Sequence, residues 1–478
     1  MKHTLEERIV VPRSLQECFS YLADFSTIEQ WDPGVSRAEK ITPGPVAPGT
    51  TYRISLNLPL GQSTMIYRQK VISPHRRLQL EGSGKGIHAL DTLDFQALGN
   101  NQTEIRYRAE LTLSSLSGWS KPVMRPVLQR IGRKAAAGLT TALTPMAPPT
   151  KIRPGEHLKH RLVLCKMADF GKRGYQNMPQ KSHSYRLDGK TAVVTGPTSG
   201  LGLSAACELA RLGAHLILLG RDNQRLAAAA ETISDTAGVP SSSVTIYCAD
   251  LASLTDTAAA AAAICKHTPQ IDILINNAGA LYDHRQESPD GNELSMAVNL
   301  LAPALLTEHL EPSLCPTSRI INVVSGGLYL QSLHLDDMQF QRTEFRGTKA
   351  YARAKRALLT LTQHTAPHAD YLSFAMHPGW ADTPGVAKSL PAFRQKLLSQ
   401  LRDNRMGADT MVWLASDPGL SRQHCGLLWF DRRPQPAAII PGSAPRSEEV
   451  TQLVSWVAER LAPFASMKVN HQLRSKAS

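Results

Sequence analysis

Two hydrophobic rhythms divide this chain. From Lys190 onward, short β-branched runs at 191–195, 216–219, 244–247, 271–275, 320–324 and 372–376 alternate with Ala-rich or amphipathic stretches such as 203–212 and 258–264. Near-continuous apolar strands separated by helices predict an α/β fold, a doubly wound parallel sheet with helices on both faces. The first part reads differently. A strand at 5–11 is followed by helical spacing over 14–23, with Ser14 as the expected N-cap. Strand-like runs follow at 51–58, 65–72, 78–80, 88–95 and 104–113, broken by Gly, Pro and Asn, and a helical stretch over 122–142 closes the region. One helix, a strand meander and a long final helix predict an α+β domain whose curved sheet grips a helix.

At 478 residues the chain exceeds what one hydrophobic core usually supports, which agrees with two domains. The expected division is 1–145, a linker at 146–186, the α/β domain at 187–465 and a disordered tail at 466–478. Pro145, Pro148, Pro149 and Pro154 argue against one continuous helix through the junction. Within it, Leu158, Leu162, Cys165, Ala168 and Asp169 among basic residues suggest a short amphipathic helix. That helix either lies on a membrane surface or packs on the adjacent domain.

Charge sharpens this picture. The net +13 splits into 18 Lys/Arg against 12 Asp/Glu over 1–150, 9 against 2 over 151–186, and 26 against 26 over 187–478. The basic excess lies outside the α/β part and marks either a solvated face or a contact with anionic membrane. No zinc-finger or aromatic-rich RNA-binding pattern favours nucleic acid. Seven cysteines without a CxxC or a metal-ligand spacing are expected to be reduced and mostly buried, in a cytoplasmic protein that holds no metal. The acid-containing start, Met1 to Glu7, is unlike a signal peptide, and no apolar run is long enough to span a bilayer. The expected location is therefore cytoplasmic, with the inner membrane face as a peripheral alternative.

After the first α/β strand come Thr195, Gly196, Pro197, Thr198, Ser199, Gly200, Leu201 and Gly202, leading directly into a helix. Glycines there let the backbone approach a pyrophosphate, and the helix N-terminus offers free N–H groups. The TGxxxGxG spacing, with Asn276-Asn277-Ala278-Gly279 after the fourth strand, resembles the short-chain dehydrogenase/reductase superfamily and implies a Rossmann fold. The second strand ends at Gly220-Arg221-Asp222, where Arg221 suits the 2′-phosphate of NADP(H) better than the ribose of NAD(H). Asp222 is either a ribose ligand or, preferably, a helix N-cap. The resemblance implies that Asp250, with Leu251, fixes an adenine ring. It also implies that Asn277, Ala278 and Gly279 border the cofactor.

Tyr351 and Lys355 lie at i and i+4, on one helix face. A neighbouring ammonium is expected to favour the phenolate and lower the Tyr351 pKa, so that the phenol serves as acid or base on a substrate oxygen. Ser325, after the fifth strand, would orient that oxygen. The resemblance further implies that Lys355 holds the nicotinamide ribose, that Asn299 completes a water-linked relay to Lys355, and that Pro378, Gly379 and Thr383 contact the cofactor. The interval from Ser325 to Tyr351 is longer than in the shortest relatives, which implies an inserted loop over the site. The strings 376–386, 407–410, 413–415 and 430–434 resemble the dehydrogenase/reductase SDR family member 12-like group. The opening region, with Val11-Pro12-Arg13 and Trp31-Asp32-Pro33, resembles the polyketide cyclase/START-like (SRPBCC) helix-grip superfamily.

Together these imply an NADP(H)-dependent oxidoreductase that moves hydride to or from a carbonyl or alcohol. By analogy with helix-grip relatives the substrate is apolar and lipid-like, and the N-terminal domain holds a hydrophobic ligand. The alternative is a lipid-binding or lipid-transfer protein whose α/β half senses NADP(H). Members of the family often form homodimers.

Overall fold

The computed structural model describes residues 2–58, 61–84, 86–99, 102–113, 121–144, 169–178, 185–440 and 443–464. These fall into two compact units, Met1–Met146 with Pro179–Arg186, and Ala147–Met178 with Leu187–Ser478. The expected amphipathic helix upstream of Asp169 and the expected tail at 466–478 lie outside the described residues.

The N-terminal unit is a seven-stranded antiparallel sheet ordered β1-β7-β6-β5-β4-β3-β2. Its strands are β1 (Lys2–Val11), β2 (Val35–Lys40), β3 (Thr51–Leu58), β4 (Gly61–Ser73), β5 (Arg77–Gly84), β6 (Ile87–Gly99) and β7 (Gln102–Leu113). The helix Leu15–Ala23 begins at Ser14, whose side chain and that of Glu17 satisfy each other's backbone N–H groups. Long helix Lys121–Leu143 presents Ala135, Ala136, Leu139, Ala142 and Leu143 to the core. Gly138 meets the Trp31 carbonyl so closely that a Cβ would sit on the oxygen. Arg13, buried, donates from Nε to the Leu143 carbonyl at 2.8 Å and so closes the helix C-terminus. Inside, Phe25 contacts Trp31, Tyr52 and Tyr67 with centroids 6.5, 6.1 and 5.1 Å away. Buried Asp91 accepts from Tyr107 Oη at 2.7 Å, and desolvation pushes its pKa up to about 6.

The C-terminal unit is an eight-stranded sheet ordered β10-β9-β8-β11-β12-β13-β14-β15. Its parallel members are β8 (Thr191–Thr195), β9 (His215–Gly220), β10 (Val244–Cys248), β11 (Ile271–Asn276), β12 (Leu314–Val323), β13 (Leu372–Met376) and β14 (Leu428–Phe430), and β15 (Arg433–Gln435) runs antiparallel at the edge. Alternate residues feed two cores. Val193, Ile217 and Leu274 point to one, and Ala192, Val194, Leu216, Leu218, Ile273 and Ile275 to the other. Helices Leu254–His267, Ala302–Leu310 and Gly347–Thr365 cover the first face, and Gly200–Arg211, Asn223–Ala237 and Asn404–Ser416 the second. The doubly wound expectation is thus met.

Two local expectations are corrected, and one segment is located. Strand β12 starts at Leu314 rather than 320, because an irregularity in its pairing with β11 lets the ladder continue upstream. Of the six described cysteines, all free, only Cys18 is buried; Cys248 ends the edge strand β10 and is exposed. Within the expected linker, 169–178 is packed structure, with Phe170 in a core of the C-terminal unit. Among the described residues no helix is long and apolar enough to cross a membrane.

Replacing Gly138 by Ala forces the helix off Trp31. The expected loss is about 1–3 kcal/mol for the N-terminal unit, read as a lower urea midpoint with unchanged slope.

Candidate active site

Strand order reverses between β8 and β11, and the crevice beyond the strand ends at such a point is where open α/β sheets bind ligands. Here the two strands are tied together. Thr195 Oγ1 donates to the Ile275 carbonyl at 3.2 Å and accepts from the Asn277 and Ala278 N–H groups at 3.0 and 2.9 Å. Asn277 Nδ2 donates to the carbonyls of Thr195 and Gly196 at 2.9 and 3.2 Å. The glycine turn is thereby held against β11. Gly196 and Gly200 have φ of 64° and 59°, values that favour glycine. A Cβ on Gly202 would strike the Gly196 carbonyl oxygen and lie 2.5 Å from Asn277 Nδ2.

Thr198, Ser199, Gly200, Leu201 and Gly202 line one arm of a cleft of about 850 Å³. Helix Gly200–Arg211 starts at Ser199 without a side-chain cap, so its first amides face the cleft unclaimed by a cap. Arg221, Asp250, Leu251, Asn277, Ala278 and Gly279 line the same arm. Thr383 and Pro384 lie across the turn, 3.6 and 3.4 Å from where a Gly200 Cβ would be. Asp222 accepts from the Arg225 N–H at 3.0 Å and caps helix Asn223–Ala237. That leaves Arg221, and Arg225 one turn later, as exposed cations on the rim. A narrow glycine cradle, an uncapped helix start and two guanidinium groups fit a phosphorylated dinucleotide. Among the described residues no group of three or more His, Cys, Asp or Glu could hold a metal.

Ser325 follows β12 and lines the cleft with Tyr351, Lys355, Pro378 and Gly379. Its Oγ accepts from the Gly327 N–H at 3.3 Å and bonds the Tyr351 phenol, a contact that works to lower the phenol's pKa. Lys355, 1% exposed, donates from Nζ to the Val323 carbonyl at 2.8 Å and stands 5.7 Å from the Tyr351 ring centroid. The expected lowering of the Tyr351 pKa is corrected. Burial dominates and raises the phenol to about 12, while the same burial lowers Lys355 to about 7. Helical spacing brings the pair onto one face, but the depth of that face sets both values.

Two expected residues stand behind the lining rather than in it. Thr195 is 2% exposed and ties the turn as described. Asn299 is fully buried within a π-helical turn, Ala297–Leu301, inside an otherwise α-helical stretch. Its Nδ2 donates to the carbonyls of Ser295 and Ala280, both at 2.9 Å, and its Oδ1 accepts from the Ala280 N–H at 3.2 Å. A Cβ on Gly279 would lie 2.8 Å from Asn299 Oδ1 and 3.3 Å from Lys355 Nζ, so this glycine separates the two by no more than its own width.

The other arm is apolar: Phe170, Tyr329, Leu330, Trp380, Leu390, Phe393, Ile439 and Ile440. The longer Ser325–Tyr351 interval folds into 3₁₀ turns Gly326–Leu330 and Leu335–Asp337, and the first of these lines the cleft as expected of an inserted loop. The remaining wall residues went unseen in the sequence. Arg225 carried a usable signal, four residues after Arg221 on a predicted helix; Phe170, twenty-one residues before β8, carried none.

Residues 190–390 match the family model described as short chain dehydrogenase, and 2–144 the model described as polyketide cyclase / dehydrase and lipid transport. The chain is 34% identical over 305 residues to dehydrogenase/reductase SDR family member 12 of Bos taurus, covering 62% of this chain and 95% of that protein. It is 35% identical over 202 residues to retinol dehydrogenase 13 of Homo sapiens, covering 41% of this chain and 60% of that one. A solved short chain dehydrogenase from Burkholderia cenocepacia J2315, in complex with NADP, superposes with a TM-score of 0.42 at 24% identity, over 51% of this chain and 96% of that one.

Gly202→Ala is expected to abolish dinucleotide binding by closing the cradle, as titration by fluorescence would report. The buried lysine gives a pH test on the cofactor-free protein. Its folded pKa of about 7 lies below the ordinary 10.5, so between these values the unfolded chain carries the extra proton. Stability of the C-terminal unit should therefore gain a contribution as pH rises from about 7, and Lys355→Met should flatten that part of a Tm-against-pH curve.

Proposed function

The chain belongs to the short-chain dehydrogenase/reductase family of oxidoreductases, joined to an N-terminal polyketide cyclase-type domain, and we propose that it is an NADP(H)-dependent enzyme acting on a carbonyl or alcohol group of an apolar substrate. The observation that carries this reading is the meeting of two unlike arms at Ser325, Tyr351 and Lys355, within one cleft of about 850 Å³. When bound, the nicotinamide supplies or takes up the hydride.

The chain's own residues supply the rest. Ser325 holds the substrate oxygen beside the Tyr351 hydroxyl, and Tyr351 delivers a proton to that oxygen or removes it. With the phenol at about 12, its protonated form prevails at neutral pH, and that is the form which donates to a carbonyl oxygen. Lys355, fixed by Val323, sits where its ammonium favours the phenolate left after donation, because like desolvation works against both charges separately and less against the pair. Asn299, through Ala280 and Gly279, keeps the backbone around Lys355 in place.

Cofactor preference follows from the rim. Asp222 is spent on its helix, and Arg221 with Arg225 offers charge-assisted donors to a 2′-phosphate. An apolar substrate is supported by the eight-residue wall named above and by the relative whose name specifies retinol.

The test is reduction of ketones and aldehydes, or oxidation of the corresponding alcohols, followed through NADPH absorbance. Absence of turnover across a broad panel by NADPH-loaded protein would sink the proposal. Tyr351→Phe should lower kcat by roughly 10²–10⁴-fold with NADPH affinity unchanged. The double change Arg221→Ala and Arg225→Ala should weaken preference for NADPH over NADH by roughly 10–100-fold.

A further inference from the structure

A strap precedes the Rossmann strands. Residues Asp169–Met178 lie well upstream of β8 in sequence, yet Phe170 is 5% exposed in the core of the C-terminal unit and lines its cleft. Buried Arg402 holds this strap in place. Its guanidinium pairs with both Asp431 oxygens at 2.6 and 2.9 Å and donates to the carbonyls of Asp169, Phe170 and Gly171 at 2.9, 3.0 and 3.1 Å. Backbone bonds from Trp380 N–H to the Phe170 carbonyl and from Lys172 N–H to the Gln400 carbonyl, at 2.8 and 2.7 Å, complete the attachment. Gly379, with φ of 75°, makes room for it, since a Cβ there would lie 2.5 Å from the Phe170 carbonyl oxygen.

This anchoring places Phe170 in the cleft wall beside the turn that follows Ser325. Phe170 Cε2 is 3.1 Å from where a Gly326 Cβ would be, directly after Ser325. Around it, Phe170 meets Trp380 at 88° with centroids 5.8 Å apart and stacks toward Tyr329 at 19° and 6.4 Å. Phe393 meets Trp380 on its other side at 86°. Phe170, Tyr329, Trp380 and Phe393 line the cleft that Ser325 also lines, so the cleft offers an aromatic wall to a group borne by the carbon that Ser325 positions. Ring edges are electropositive and ring faces electronegative, so an aromatic ring offered face-on gains there what an alkyl chain does not.

We propose that Phe170 is a specificity-determining residue, and that it selects carbonyl compounds, or the matching alcohols, in which an aromatic ring directly flanks the reacting carbon. This rests on the carbonyl reading of the cleft. It adds a residue that lies outside the strand-and-helix framework carrying the chemistry.

The test uses the full chain loaded with NADPH and two ketones, 1-tetralone and 2-octanone. Wild type should favour 1-tetralone in kcat/KM. Phe170→Leu should reduce that preference by roughly 2- to 13-fold, chiefly through KM, and leave NADPH affinity within about 2-fold. Phe170→Tyr, which keeps the ring edge, should retain the preference. Binding of each ketone, read from the fluorescence of bound NADPH, gives the same ratio without turnover. Selective binding without turnover would therefore sink the hydride-transfer reading and leave this one standing. An unchanged ratio in Phe170→Leu with intact NADPH binding, or a wild-type preference for 2-octanone, would overturn it.

Discussion

The tie between Thr195 and Asn277 is the constraint on which the catalytic half depends. It spans the two central strands where chain direction of winding reverses, and one hydroxyl serves three backbone groups there. Without it the glycine turn would have no fixed distance from β11, and Gly202 would lose the reason for its absent side chain. Below it, Asn276 donates to Asn322 at 2.9 Å and Asn322 to Thr362 at 2.9 Å, so the polar order continues from β11 through β12 into the helix that carries Tyr351 and Lys355. Buried polar chains of this kind are stable only when satisfied by one arrangement. The glycine turn is thus tied to β11 through Thr195 and Asn277, and the helix of Tyr351 and Lys355 to β12 and β11 through Thr362, Asn322 and Asn276.

Depth explains the electrostatics. Tyr351 and Lys355 are moved in opposite directions by the same cause, because burial disfavours a charge of either sign. Near neutral pH the phenol is then protonated and Lys355 close to half protonated, and the phenolate and ammonium are each favoured by the other. Asp91 in the N-terminal unit follows the same rule, raised by burial although Tyr107 donates to it.

Much of this was legible in the sequence, and the exceptions have physical reasons. Strands β8 and β13 were read to the residue because a central parallel strand must be apolar on both faces. The glycine turn, Ser325, Tyr351 and Lys355 were legible because each is bound to a strand end or a helical period. Strand β2 was missed: its burial does not alternate, and its pairing with β3 shifts register after Val35. The three-residue strands β14 and β15 are too short to show a period. The π-turn at Asn299 and the placement of Phe170 depend on partners distant in sequence, and the pKa of Tyr351 depends on depth, which spacing does not encode.

The π-turn has one more consequence. A π-helical turn carries a residue more than the α-helix around it, so side chains beyond it are rotated relative to those before it. Deleting any one residue of this turn would relax the helix to regular geometry and leave its hydrophobic faces mismatched on one side. Evolutionary change by insertion or deletion is therefore closed at this point of the chain, whereas the 3₁₀ turns between Ser325 and Tyr351, bounded by surface positions, remain open to it. Diversification of such a protein is channelled into the wall of the cleft and away from the helix behind it.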